Sequence, residues 1–204
     1  ENVSHELQTP LAVISSKVDQ MMQSDNLSQQ QMEHLALLME TTNRLSKMNQ
    51  ALIFLTKIDN RFYTEGSAFD LDQLLKEQLE LFEESIQQKQ IKLELQISDS
   101  AHIYMNRYLA ESMINNLIRN AILHNNQQKL ISIIIEANTF TITNSGKELT
   151  FSADKIFDRF KRSVTEKKSL GIGLSVVKSI CDLYQFNLSY FAKNNLHTFI
   201  IKFK

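Results

Sequence analysis

The sequence predicts a two-part chain: an all-α helical hairpin followed by an α+β sandwich with a mostly antiparallel sheet. Three observations predict it. Residues 1–60 contain no glycine, carry 4 basic and 7 acidic side chains, and space their apolar residues at helical steps. Residues 61–69 carry the first glycine, Gly66, and break that pattern, which puts one domain at 1–62 and a second at 67–204. Beyond the break, helical stretches mix with short β-branched runs.

In the first helix Leu7, Leu11, Ile14, Val18 and Met21 fall on one stripe, and Ser24-Asp25-Asn26 ends it. From about Ser28 a second stripe steps three, four, three, four, three through Leu35, Leu38, Thr42, Leu45, Asn49 and Leu52. This is a heptad seam with two polar residues set into it, of the kind that fixes register at a cost in stability. One hairpin of this size buries too little to stand alone, so two copies are expected to pair as a four-helix bundle. In the second part Asp70 is expected to cap a helix running to about Gln88. Lys92–Ile97 alternates as a strand, Arg107–His124 has helical periodicity, and Leu130–Ala137 with Thr139–Thr143 reads as a hairpin turning at Asn138. Ser175–Leu183 reads as a helix, and Asn187–Ala192 with His197–Phe203 as a closing strand pair.

Composition excludes several classes. The 204 residues include 4 Gly and 1 Pro, where average usage would give about 24, so collagenous, Pro-rich and Gly/Ser-linker readings fall away. A loop-rich all-β fold is also disfavoured, because turns with positive φ call for Gly or Asn. A single Cys builds neither an intrachain disulfide nor a Cys-based zinc site, which fits a reducing compartment. With 22 basic against 23 acidic side chains there is no broad basic surface for nucleic acid. The apolar run Ala51–Leu55 falls far short of the roughly 18 residues of a membrane span. Lacking an initiator Met and a signal peptide, the sequence reads as a soluble piece of something longer.

Four clusters carry chemistry. In Ser4-His5-Glu6-Leu7-Gln8-Thr9-Pro10-Leu11, helical spacing aligns His5, Thr9, Ala12 and Ser16 opposite the apolar stripe, turning the imidazole to water. Glu6 can take a proton from one ring nitrogen and leave the other nucleophilic, while Thr9 offers a hydroxyl to orient water. Pro10 removes a helical hydrogen bond at a cost of roughly 3 kcal/mol and is expected to kink the helix. In the second cluster Asn116, Asn120 and His124 share a helical face, and asparagines there cost stability that a plain structural helix avoids. Their carbonyl oxygens suit Mg²⁺; a wet helix face is the plain alternative. The third and fourth clusters are glycine turns, Asn144-Ser145-Gly146 ending a strand and Gly171-Ile172-Gly173-Leu174 opening a helix, where backbone amides can approach an anion. Neither is a Walker loop nor a dinucleotide fingerprint. Between them Ile156-Phe157-Asp158-Arg159-Phe160-Lys161-Arg162 and the polar stretch Ser163–Ser169 suggest a mobile lid anchored by two aromatics. Cys181 reads as core, and His34, His102 and His197 as structural or surface residues without metal-ligand spacing.

In order, these segments resemble the H, N, G1, F and G2 boxes of bacterial sensor histidine kinases, from His5 to about Lys178. The resemblance implies a dimerization and phosphoacceptor domain over 1–62 and a catalytic ATP-binding domain of the Bergerat, or GHKL, fold over 67–204. It implies His5 as phosphoacceptor, Glu6 as its general base, and Thr9 as the residue that places water for dephosphorylation. It further implies Asn120 as the Mg²⁺-holding residue with Asn116 beside it, and Asn144 with Gly146 at adenine. Gly171, Gly173 and Leu174 fall at the phosphates and Arg162 at the γ-phosphate. The implied small molecules are ATP and Mg²⁺. The implied partners are a second copy through 1–62 and a response regulator receiver domain, with no nucleic acid. Sensor region and membrane spans would lie upstream, making this a cytoplasmic domain of an inner-membrane-anchored sensor.

Three departures mark the sequence. Asn144 stands where relatives have Asp and Glu148 where they have a second Gly; an Asn both accepts and donates, so it can take the adenine amino proton and also donate to the ring. Leu123 replaces a frequent Lys or Arg, and Lys167-Lys168-Ser169 replaces further glycines. Competing readings are a kinase-weak, phosphatase-dominant protein, a non-catalytic dimeric signalling scaffold, and a GHKL ATPase of another kind, against which the His-Glu-x-x-Thr-Pro segment argues.

Overall fold

The computed structural model describes residues 2–24, 26–98, 101–126, 128–149, 151–160 and 170–204, and for 2–7 the backbone alone. The chain divides into two compact units, Glu1–Lys57 and Ile58–Lys204.

The first unit is helical. Helix α1 spans Asn2–Met22 and continues through Pro10; helix α2 begins at Gln29 and ends at Asp59. Ser28 opens α2 with a reciprocal cap: its hydroxyl accepts from the Gln31 amide at 3.2 Å, and the Gln31 side chain accepts from the Ser28 amide at 2.8 Å. The heptad seam separates into two rows. Leu35 and Thr42 are buried, whereas Leu38, Leu45 and Leu52 are 52%, 49% and 37% exposed. Thr42 satisfies its hydroxyl on the Leu38 carbonyl at 2.8 Å, which lets a polar side chain be buried cheaply. The Asn49 amide nitrogen is buried without a partner.

The second unit is a five-stranded sheet with helices against one face. Strands β2 (Lys92–Ile97), β4 (Leu130–Glu136), β5 (Thr139–Ser145), β6 (Asn187–Lys193) and β7 (Leu196–Lys202) lie in the order β2-β4-β5-β7-β6. Only β2 and β4 run parallel. Two strands lie outside the sequence prediction, β1 (Ser67–Asp70) and β3 (His102–Met105), which form a small antiparallel pair of their own. At four residues each they are too short for period-2 alternation to show.

The helix expected over 70–88 is two helices, α3 (Leu71–Glu80) and α4 (Glu83–Gln88). At the break the Leu81 and Phe82 amides bond to Gln78 and Leu79, three residues back rather than four. Leu81 is thereby left exposed and Ile86 turned inward. Asp70 occupies the N-cap position but makes no side-chain cap bond; its carboxylate pairs with the exposed His102 across the small sheet.

Helices α5 (Arg107–Leu123) and α6 (Gly173–Tyr184) cover the main sheet. Asn106 caps α5 by accepting from the Leu109 amide at 3.2 Å. One face of α5, from Leu109 through Met113, Leu117 and Ala121, is buried. It packs against β5, and Ile131, Ile133, Phe140, Ile142, Phe199 and Ile201 are buried in the same unit. Cys181 lies there, its Sγ 3.9 Å from the Met113 sulfur, and burial pushes its thiol up to about 12.

The scarcity of glycine is met in an unexpected way. Among the described residues eight non-glycine positions have positive φ, and only Asn194 and Asn195 of these are Asn. Those two form the tight β6–β7 turn. Ala137, Lys129, Gln90, Gln185, Arg61 and Phe160 take left-handed backbone without the small-residue advantage. The expectation that such turns require Gly or Asn therefore fails for most of them.

Candidate functional site

The site grows from the polar side of α5. Ser112, Asn116 and Asn120 follow one another a turn apart, half-buried along the edge of the buried stripe. Asn116 is held by its own helix, its Nδ2 donating to the Ser112 carbonyl at 2.8 Å. Its Oδ1 lies 2.7 Å from where a β-carbon on Gly173 would stand. The first residue of α6 is therefore bare because the α5 asparagine fills that space. Asn115 anchors α5 to α3 by donating to Gln78 at 2.8 Å, and its Oδ1 is buried without a partner. Tyr108, Glu111, Ser112, Asn115, Asn116 and Arg119 line a polar cleft of about 260 Å³.

The start of α6 suits an anion. No side chain caps it at Ile172, so its first amides keep donors in hand. Gly171 has φ 68°, a backbone that glycine adopts without penalty. Its carbonyl accepts from the Phe160 amide at 2.8 Å. Of the two aromatics expected to anchor a lid, Phe157 sets its ring 6.4 Å from that of Phe199. Phe160 stays 42% exposed and holds through its backbone. Arg162 and the stretch 163–169 lie outside the described residues.

The turn after β5 closes the site. Alternation along β5 puts Phe140, Ile142 and Asn144 on the helix-facing side, and Asn144 is 2% exposed. Its Nδ2 donates to the Ser145 carbonyl at 3.0 Å, which sets the amide orientation and assigns the Oδ1 as acceptor. A network behind the turn ties it to the end of α5. The Ser145 hydroxyl donates to Asn125 at 3.1 Å, Asn125 donates to the Leu130 carbonyl at 2.9 Å, and Asn126 donates to the Gly146 carbonyl at 2.9 Å. A β-carbon on Gly146 would stand 2.5 Å from His197 Cδ2 and 3.3 Å from the His124 carbonyl.

Of the expected nucleotide-site residues, the structure sets Gly173 against Asn116, and Gly146, two residues after Asn144, against the His124 carbonyl at the end of α5. His5, Glu6 and Thr9 belong to α1 in the first unit; the side chains of His5 and Glu6 lie outside the described residues. Thr9 is exposed, and with Ala12, Val13, Ser16 and Lys17 it lines a shallow depression of about 500 Å³. Glu148 is exposed and Leu123 half-buried. Among the described residues no group of three His, Cys, Asp or Glu could hold a metal.

Sequence reasoning passed over Asn125, Asn126 and Tyr190, and read His197 as a structural or surface residue. The adjacent Asn125-Asn126 pair, just past a helix, was a visible turn signal. His197 carried none, because its importance comes from strand register: it is the cross-strand partner of Asn144.

Comparisons with known proteins agree with this geometry. Residues 1–61 match the His Kinase A (phospho-acceptor) domain family. Residues 106–204 match the family of histidine kinase-, DNA gyrase B- and HSP90-like ATPases. The heme sensor protein HssS of Staphylococcus saprophyticus is 31% identical over 215 aligned residues, covering all of this chain and 45% of the relative. HssS of Staphylococcus epidermidis is 28% identical over 99% of the chain and 45% of the relative. The chain therefore spans less than half the length of these relatives. Among solved structures, the Acinetobacter baumannii histidine kinase AdeS shares the fold, with TM-score 0.69 at 21% identity over 98% of this chain and 97% of that one. The catalytic domain of histidine kinase ThkA matches 68% of this chain and 95% of its own, at 25% identity and TM-score 0.60. The chain belongs to the sensor histidine kinases, whose phosphoacceptor and ATP-using regions it carries. Among the described residues no helix is long and apolar enough to cross a membrane.

Proposed function

We propose that the chain is an ATP-dependent kinase core that phosphorylates its own His5 and passes the phosphoryl group to an aspartate of a response regulator receiver domain. One observation carries the reading: Gly173 packs on Asn116, and Gly146 packs at the end of the same helix, so both glycine segments flank α5. The rest of the reading assigns roles. A His5 ring nitrogen attacks the γ-phosphorus, a P–N bond forms as the bond to ADP breaks, and Glu6 takes the ring proton. Asn120, with Asn116 beside it, offers amide oxygens to Mg²⁺, which when bound neutralises phosphate charge. Asn144 Oδ1 accepts from the adenine amino group. The amides from Gly171 to Leu174 face the phosphates, and Arg162 contacts the γ-phosphate. Thr9 orients water when the regulator is dephosphorylated, and the depression beside it is the regulator's docking surface. The exposed row Leu38, Leu45 and Leu52 supports pairing of two copies through residues 1–62, since it continues a heptad seam. Residues 67–204 form the catalytic domain, and anchoring and sensing belong to other parts of a longer cytoplasm-facing sensor.

Incubation with γ-labelled ATP tests the activity. The label is expected to be acid-labile and alkali-stable, as a phosphoramidate is; acid-stable label would place the phosphate on a hydroxyl and overturn the reading. Adenine recognition has its own test. Asn144→Ala is expected to weaken ATP binding by about 1–3 kcal/mol, the usual cost of removing a buried hydrogen-bonding partner. Calorimetric titration measures it, and unchanged affinity would show that adenine is read elsewhere.

A further inference from the structure

The Gly146–Lys147 turn is held from three sides. The Gly146 amide donates to the Asn195 carbonyl at 2.8 Å, and the Gly146 carbonyl accepts from Asn126. The Lys147 carbonyl accepts from His197 Nε2 at 2.8 Å. His197 Nδ1 lies 2.6 Å from the Tyr190 hydroxyl. A carbonyl can only accept, so Nε2 carries the proton. Nδ1 of the neutral ring is then the acceptor and Tyr190 the donor. Burial pulls the imidazole below its ordinary value; the Lys147 carbonyl opposes that shift, and nearby His124 adds to it. Burial also pushes Tyr190 up to about 12. The two rings stack with centroids 6.1 Å apart and planes at 24°. His197 is 8% exposed, and its Cα is paired in register with that of Asn144.

We propose that His197 is a positioning residue for nucleotide recognition: bridged between Tyr190 and the Lys147 carbonyl, its ring holds the turn that follows Asn144 and so sets where that amide meets a purine. The inference rests on the reading of Asn144 as the adenine-facing residue. Two features of the chain make such a brace necessary. Past Ser145 the backbone leaves the β5–β7 ladder, so at Lys147 a side-chain hydrogen bond stands where strand pairing would otherwise hold the chain. Asn144 also carries no charge, so its contact with the base depends on the direction of a neutral amide more than a carboxylate's would. Lys147 is exposed, so its carbonyl can turn to water once His197 is gone. Loss of the bridge therefore displaces the turn and leaves the sheet standing.

Calorimetric titration of the whole chain with ATP and Mg²⁺ tests this. His197→Phe, which keeps a ring but removes both nitrogens, is expected to bind ATP about tenfold more weakly. His197→Gln, whose amide can still donate to Lys147, is expected to recover most of that loss. In labelling kinetics His197→Phe raises KM for ATP and leaves the rate at saturation unchanged, the mark of lost uniform binding. Nitrogen-15 shifts are expected to show the Nε2–H tautomer in the parent chain and a changed ring signature in Tyr190→Phe. His197→Phe binding ATP normally while Asn144→Ala binds weakly would overturn the inference and spare the adenine assignment. If neither change matters, both fall. Should His197→Phe fail to fold, Tyr190→Phe decides: an unshifted Nδ1 resonance and unaltered affinity count against the bridge.

Discussion

His5→Ala is expected to abolish acid-labile labelling from γ-labelled ATP while leaving ATP affinity unchanged. The reason lies in the division of the chain. His5 is on α1 in the first unit, whereas Asn116, Asn120, Asn144 and the glycine turns all belong to the second. Truncating a side chain in one unit removes the nucleophile without touching a nucleotide contact in the other. The effect falls wholly on a covalent step. Asn120→Ala supplies the converse: the acceptor is intact, yet labelling is expected to fall steeply because the oxygen proposed to face the phosphates has been removed. Filter-bound radioactivity after acid and alkali washes reads the first result, and calorimetric titration the second. Label persisting in His5→Ala would move the acceptor elsewhere, to His34 on α2 or to a residue of the second unit.

Gly146→Ala should be the most damaging single methyl in the second unit. The added β-carbon would stand 2.5 Å from His197 Cδ2 and 2.7 Å from its Nε2. That ring cannot swing away freely, because both nitrogens are engaged and it stacks on Tyr190. On the other side the His124 backbone carbonyl stands at 3.3 Å. Overpacking of this kind costs about 1–3 kcal/mol, or a fall of roughly 3–10 °C in Tm for a unit of this size. ATP binding should weaken with it, since the turn beside Asn144 must shift. Scanning calorimetry checks the first effect. The double variant Gly146→Ala/His197→Ala tests the cause: removing the ring opens the space, so the two losses should be less than additive. Full additivity would show that the clash is with the backbone.

Much of this was legible from the residues. The two-part division rested on a glycine-free helical segment and a break near Gly66. The main strands and α5 followed from β-branched runs and from periodicity between Arg107 and His124. The glycine and asparagine segments were visible as costly choices, since a plain helix does not place Asn at 115, 116 and 120. What misled was local. Asp70 has the chemistry of a helix cap, but His102, brought opposite by the small β1–β3 pair, competes for the carboxylate. The stretch 70–88 has unbroken helical pattern, yet the core requires Ile86 inside and the chain turns at Leu81 to put it there.

The sequence by itself determined which chemical groups this protein has to work with: an imidazole and carboxylate adjacent on one helix, amide oxygens a turn apart on another, and bare backbone where glycine stands. Those follow from side-chain chemistry and helical period, both local properties. Only the tertiary structure decided which of these groups meet. Gly173 finds Asn116 because α5 and α6 pack side by side, and His197 stands opposite Asn144 because β5 and β7 pair in one register rather than another. Shifting that register by one residue would turn His197 to the far face of the sheet, and while each strand's alternation chooses its inward face, only the pairing of β5 with β7 sets His197 opposite Asn144.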